Sequence, residues 1–359
     1  MTRQERSELV CSLARQAGFD AVGIAPAAPI ARRAYFHDWL DRGCHGEMAY
    51  LSRTAEVRTD PRRLLEGAHS VIVVAQSYKP AEEQRAVEAS TAADGLKPIP
   101  KPEKHHRRDL SACVHAQADA GAARFRNGLL GPRGRVARYA WGRDYHRVLR
   151  KKLHRLTDAI RAEMGEPFDA RVCVDTAPII ERELAAAAGV GWIGKNTLVL
   201  HPKLGSYFFL GEIVTTLELA PSAPMTDHCG SCTRCLEVCP TQAFPGPYRM
   251  DATRCISYLT IEHRGEIAPQ LQLRMGDWVF GCDICQEACP YNRKAPARTE
   301  SVCGISERFP LAPRPLLETI LNLTEEQRRQ CLSGSAMKRA TPDMLKRNAA
   351  IAMKNVKEM

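Results

Sequence analysis

Apolar positions along the chain keep two rhythms. Within residues 4–17, Leu9, Val10 and Leu13 recur at helical spacing and Gly18 supplies a stop. Residues 20–26 read as a short strand, and a second helix is predicted near 29–42. Pro61 to Leu65 opens a short helix, and Ser70–Ser77 (Ser-Val-Ile-Val-Val-Ala-Gln-Ser) reads as a continuously apolar strand. The order helix, strand, helix, helix, strand predicts a layered α/β domain.

The rhythm lapses over 79–133, where Pro80, Pro98, Pro100 and Pro102 interrupt a stretch rich in Glu, Ala, Lys and Arg. That composition predicts a basic, partly disordered insertion. A strand is expected at 135–140, then a helix from Asp144 to about Met164, with Asp144 as N-cap and Leu149, Leu153, Leu156 and Ile160 as its buried stripe. A strand at 170–174 runs into Asp175-Thr-Ala-Pro178. Pro178 starts a helix reaching Ala188, with Gly189 at its end. Strands are expected at 197–200 and 207–216, a Pro-rich linker at 221–224, and helices near 314–331 and 336–354. The glycines at 189, 191 and 194 do not form G-x-G-x-x-G between a strand and a helix, which excludes a nicotinamide site of that type.

Charge sharpens the picture. The 359 residues carry a net charge of +10. Lys101–Arg155 alone holds 15 Lys or Arg against four acids, and Lys338, Arg339, Lys346, Arg347 and Lys354 add a second basic patch. Such a surface suits a phosphate-bearing partner, although a solvated helix face has the same composition. No run of apolar residues is long enough to cross a membrane, and the N-terminus is polar rather than signal-like, so a cytoplasmic protein is expected.

Two cysteine runs carry the chemistry. Cys229, Cys232, Cys235 and Cys239-Pro240 follow C-x2-C-x2-C-x3-C-P, and Cys282, Cys285 and Cys289-Pro290 repeat its end, with Cys255 upstream. In this spacing three cysteines wrap one cubane and the cysteine before proline reaches the other. Cys229, Cys232, Cys235 and Cys289 are therefore assigned to one [4Fe-4S] cluster, and Cys239, Cys255, Cys282 and Cys285 to a second. A zinc ribbon pairs two C-x2-C hooks and needs neither the run of three nor the Cys-Pro ends. The remaining cysteines (11, 44, 113, 173, 303 and 331) are scattered and read as filler. Trp141 reads as core, and Trp192 as a residue lining a cofactor face.

Other stretches narrow the class. Arg138-Tyr-Ala-Trp-Gly-Arg-Asp144-Tyr145-His146, Val174-Asp175-Thr-Ala-Pro178, Gly189-Val-Gly-Trp-Ile-Gly-Lys-Asn196, Gly205-Ser-Tyr-Phe-Phe-Leu-Gly-Glu212 and Cys255-Ile-Ser257-Tyr-Leu-Thr-Ile-Glu262 occur in order. Together with the ladder the sequence resembles the epoxyqueuosine reductases over nearly its whole length, 79–133 excepted. The resemblance implies an α/β (α+β) fold: a nitroreductase-like cobalamin-binding domain at 1–220, a ferredoxin-like two-cluster domain at 221–295 and a helical segment at 296–359. It implies base-off cobalamin beside two [4Fe-4S] clusters, electrons passing through the clusters to cobalt, and reduction of epoxyqueuosine at the tRNA wobble position. By the same resemblance Asp175 is the proton donor, shielded from water near cobalt, and Asp144, Tyr145 and His146 flank the substrate. Arg58, Asp175, Val199, Leu210 and Ser257 are its implied cobalamin contacts. The implied partners are the tRNA anticodon stem-loop and an electron donor such as a flavodoxin or ferredoxin system, with the enzyme a monomer. The insertion is longer and more basic than the family leads one to expect, and a long helical-repeat extension is missing from the C-terminal part. A corrinoid reductive dehalogenase and a ferredoxin-like carrier share parts of this pattern; the first usually has a twin-arginine export signal, and the second needs no 230 residues before its clusters.

Overall fold

The computed structural model describes residues 1–79, 131–297, 303, 311 and 313–358. The expected insertion at 79–133, Cys113 included, lies almost wholly outside them. At the centre is a four-stranded sheet in the order Ala21–Pro26, Ser70–Ser77, Phe208–Thr215, Ala170–Cys173, every neighbouring pair antiparallel. Ser70–Ser77 is buried at all eight positions because both of its faces are covered.

Ile72, Val74, Phe209 and Ile213 point to one face, where the helices Arg3–Gln16 and Tyr145–Met164 pack. The predicted stripe of the long helix (Leu149, Leu153, Leu156, Ile160) is 0–1% exposed. Gly211 lets that helix close on the strand: a Cβ there would stand 2.8 Å from Leu153 Cδ1. Val71, Val73, Ala75, Phe208 and Val214 point to the other face, against Ile179, Leu184, Ala185 and Ala188. This second face also carries Glu212, between Phe208 and Val214 on the same side of the strand.

Several elements are shorter than the sequence predicts. The strand at 135–140 is Arg135–Val136, followed by a 3₁₀ turn at Arg138–Ala140; its partner is Trp278–Phe280, in parallel, inside the cysteine-rich region. The helix expected from Pro178 begins at Glu181, because Asp175 takes a left-handed φ of 51° and the chain must turn before it can wind. The predicted helix at 314–331 is two, Leu317–Leu321 and Glu325–Leu332. Thr324 and Gln327 form a capping box that restarts it. The last predicted helix is a 3₁₀ turn, Ala336–Arg339, then Pro342–Glu358.

The C-terminal helix lies on a core of Val279, Phe280, Leu317, Ile320, Met344, Leu345 and Ala349. Asn348, fully buried, fastens it by donating to Thr260 O at 2.9 Å and Val279 O at 3.0 Å. Trp39 Nε1 donates to Met250 O at 2.6 Å, and Glu47 N to Tyr258 Oη at 2.7 Å, so early helices also brace the segment that carries Cys255.

Gly23 is the tightest approach in the sheet: a Cβ there would sit 1.9 Å from the carbonyl oxygen of Ala188. Backbone cannot yield as a flexible side chain does. Gly23→Ala is expected to lower unfolding free energy by about 1–3 kcal/mol, read from urea denaturation; an unchanged midpoint would show that the helix end retreats freely.

Candidate active site and cluster ligands

The N-terminus of the long helix supplies the first polar group. Asp144 caps it, Oδ1 accepting from His146 N at 3.1 Å, and its side chain is 2% exposed. The same Oδ1 faces His146 Nδ1 at 2.7 Å, and Oδ2 accepts from Lys338 Nζ at 2.5 Å. Burial opposes the charge on Asp144, but the hydrogen bonds from His146 and Lys338 outweigh it and hold the carboxyl well below the usual carboxylate range. On the other side of the ring, His146 Nε2 meets Asp175 Oδ2 at 2.9 Å. Burial alone would discharge the imidazole; the carboxylates Asp144 and Asp175 reverse this and push it up to about 9. At neutral pH both ring nitrogens of His146 therefore carry protons, one donated to each aspartate.

The structure thus brings Asp144, Tyr145, His146 and Asp175 together. Tyr145 is sandwiched between the His146 ring (centroids 4.1 Å apart) and Phe209 (4.4 Å, 6° between planes). Burial, reinforced by the Asp175 charge, pushes its phenol well above the ordinary value, so it stays a hydroxyl. In the chain alone the Asp175 side chain is 52% exposed, on a turn beyond the end of Ala170–Cys173.

Two residues of this group, Lys338 and Glu181, had no motif to announce them, and a third, Glu212, had one but no role assigned to it. Lys338 reads as part of a basic patch, yet it is spent on Asp144. Glu181 Oε1 accepts from Asp175 N at 2.5 Å, and Glu212 lies fully buried beneath it. Glu212 was legible as the last residue of the Gly205–Glu212 motif and as a charge within an apolar strand pattern.

Arg58 is buried, with Nε donating to Thr54 Oγ1 at 2.9 Å and Nη1 to Ile179 O at 3.4 Å. Val199 and Leu210 border the same apolar cluster as Ile179. Leu210 is the single position of Phe208–Thr215 that is not fully buried. Ser257 is in the helix Ile256–Ile261, two residues after Cys255.

The cysteines fall into two sets. Cys229, Cys232, Cys235 and Cys289 line one cavity of about 290 Å³, with Lys195, Arg234 and Lys294 at its rim. Cys289 comes from the second run, so the chain crosses over here. Trp192, 2% exposed, lies edge-on to His228 and Tyr291 beside Cys229 and Cys289; burial pushes the Cys229 thiol up, and the Trp192 indole N–H directed at its sulfur opposes this. Four thiols and a buried donor aimed at one of them fit a cluster whose sulfurs accept hydrogen bonds. Cys239, Cys255, Cys282 and Cys285 stand outside that lining; Cys255 feels the charge of Cys239, and Cys282 and Cys285 that of Cys255, after the larger effect of burial. Trp141 is core, its Nε1 donating to Val136 O at 2.7 Å. Cys44, Cys173, Cys303 and Cys331 are buried, and Cys11 is partly buried.

Residues 228–292 match the family model of a 4Fe-4S double cluster binding domain, and 115–176 match that of epoxyqueuosine reductase QueG, DUF1730. Over 342 residues the chain is 40% identical to the epoxyqueuosine reductase of Pseudomonas aeruginosa, covering 95% of this chain and 83% of that one. It belongs to the epoxyqueuosine reductase family. The relative from Cellulophaga algicola is 34% identical over 97% of this chain and 98% of its own. A solved, selenomethionine-labelled epoxyqueuosine reductase superposes with a TM-score of 0.79 at 26% identity, covering 99% of this chain and 83% of that one. Another, solved with an epoxyqueuosine-modified tRNA-Tyr stem loop, gives 0.77 at the same identity and the same coverage. The double-cluster match removes the zinc reading, and membership in a reductase family removes the simple carrier.

For an epoxyqueuosine reductase the basic face matters, and the structure redistributes it. Arg147, Arg150, Lys151 and Arg155 are exposed on the long helix. Lys152 is not available: Nζ donates to Gly18 O at 2.9 Å and to Gln76, over the Phe19 ring. Arg347 is likewise structural, binding the carbonyls of His263, Leu259 and Gly265. No helix among the described residues is long and apolar enough to cross a membrane.

Cys289→Ser is expected to damage the cluster whose other ligands lie in the first run, lowering iron from about eight atoms toward about four. Iron analysis with paramagnetic resonance of the reduced protein decides it. Retention of both cubane signals would sink the crossover.

Proposed function

We propose that the chain reduces epoxyqueuosine to queuosine at the wobble position of tRNA. Its 40% identity with a named epoxyqueuosine reductase over 95% of the chain carries this reading, and the acid group around Asp175 supplies the chemistry the reaction needs. An epoxide becomes an alkene by taking two electrons and two protons and releasing its oxygen as water. Asp175 is the proton donor in this reading. Its exposed carboxyl can reach a substrate oxygen and pass on the proton that His146 Nε2 donates to it at 2.9 Å. Asp144, held by Lys338, keeps the imidazole charged and oriented, and Tyr145 presents an un-ionised hydroxyl beside it.

A base-off cobalamin, when bound, supplies the low-valent cobalt that delivers electrons received through the two clusters. Arg58, Val199 and Leu210 border one apolar wall, which fits a large ring, and Ser257 and Asp175 are the further contacts assigned to it. Cluster ligands are assigned as Cys229, Cys232, Cys235 and Cys289, and as Cys239, Cys255, Cys282 and Cys285. Residues 1–220 then hold corrinoid and substrate, 221–295 the clusters, and 296–359 the helices that brace both, including Lys338. The electron donor is a flavodoxin or ferredoxin system, and the enzyme acts as a cytoplasmic monomer. In Bacillus subtilis a relative is known with an aspartate-bearing catalytic loop swung out of the active site, a precedent for a mobile turn at Asp175.

Asp175→Asn keeps the shape but gives up no acidic proton. It is expected to retain both clusters and stem-loop binding while losing at least about 100-fold in turnover, measured as single-turnover conversion of an epoxyqueuosine stem loop by chemically reduced enzyme. Near-normal conversion would move the donor role to His146 or Tyr145; failure of the unaltered enzyme to convert the stem loop would overturn the function itself.

Neutralising Arg150 and Lys151 together should weaken binding of the stem loop, with a difference that shrinks as salt rises, because the lost contribution is counterion release. Equal affinities at low salt would mark these residues as a solvated face only.

A further inference from the structure

We infer that Glu181 and Glu212 share one buried proton, and that this pair is the clamp that holds the Asp175 turn in position for the reaction. The inference rests on the proton-donor reading of Asp175 but concerns two residues that reading leaves unused.

Glu212 sits in the interior of the strand Phe208–Thr215, opposite Val73 on one side and Cys173 on the other. It is 0% exposed, and neither carboxyl oxygen has a hydrogen-bond donor among the described residues. A bare carboxylate between two paired strands would have neither water nor a counter-ion. The group it faces is another carboxyl, that of Glu181. Two acids in that position cannot both be ionised; with one proton between them, the Glu212 O–H donates to Glu181 and both are satisfied.

Glu181 has a second task. Its Oε1 accepts from the backbone N–H of Asp175 at 2.5 Å. Asp175 has a φ of 51°, a conformation that a non-glycine residue holds only when its surroundings enforce it. The hydrogen bond from Asp175 N to Glu181 is part of that enforcement, and it is strongest when Glu181 is the ionised member of the pair. Glu212 must then be the protonated member. The charged and titratable groups facing the pair agree with this division. Burial pushes Glu181 up to about 7, with the Asp175 charge adding to it and His146 opposing it. Burial and the Glu181 charge push Glu212 well higher. Arg58, Arg182, Tyr145 and Cys173 also feel the charge of the pair. None of them offers Glu212 a hydrogen bond, so the proton stays between the two glutamates.

Glu212 is thus a positioning residue that acts through Glu181 on the backbone of Asp175. The test uses the holoenzyme. Infrared spectroscopy of the resting native protein at neutral pH should show the carbonyl stretch of a protonated, buried carboxyl group, and Glu212→Gln should lack it. The Gln side chain still donates to Glu181, so single-turnover conversion should stay within about 3-fold of native. Glu212→Leu fills the space without a donor and should lose about 10-fold or more in that rate, with stem-loop affinity unchanged. Absence of the protonated-carboxyl band in the native enzyme overturns the proposal, as does a Leu variant that reacts at the native rate. Should the Leu variant not fold, the band and its loss in the Gln variant still decide whether the proton is shared. Conversion by the native enzyme is the control that keeps this outcome separate from the function: without it the reaction assignment fails, whatever the spectrum shows.

Discussion

The pairing of Ser70–Ser77 with Phe208–Thr215 is the constraint on which the rest depends. Its register alternates residues between two covered faces, so each side chain of the second strand has one destination. Phe209 goes to the face of the long helix, where it stacks on Tyr145 and with it fixes the start of that helix. Leu210 and Glu212 go to the opposite face, toward the residues assigned to the corrinoid and toward Glu181. Gly211 between them admits Leu153. A slip of one residue would exchange these roles and bury Glu212 against Leu153.

Around this sheet the site is assembled from charges that depend on one another. Asp144 is ionised because two donors find it in the interior; His146 is charged because two carboxylates do; Glu212 is neutral because no donor does. The result is an alternation of signs from Lys338 through Asp144 and His146 to Asp175. Such a row is held more firmly by its mutual hydrogen bonds than any single exposed pair would be.

Much of this was legible in the sequence, for identifiable reasons. The cysteine spacing encodes its own geometry, and the long helix announced its stripe and its cap. The motif residues Asp144, His146 and Asp175 do converge. What escaped was set by tertiary contact. Asp175 leaves the strand end in a left-handed turn, which no local pattern signals. Lys152 and Arg347 look like solvated cations, but carbonyls and an aromatic ring occupy them. Lys338 is separated from Asp144 by 194 residues, a distance over which composition says nothing about pairing. The strand at 135–136 shortened because its partner is the three-residue Trp278–Phe280 and not a long neighbour.

That separation between Lys338 and Asp144 bears on biosynthesis. The ribosome delivers the helix cap first, both cysteine runs later, and the lysine only after them. A nascent chain can therefore have every metal-binding thiol outside the exit tunnel while the aspartate that steadies its catalytic imidazole still lacks one of its two partners.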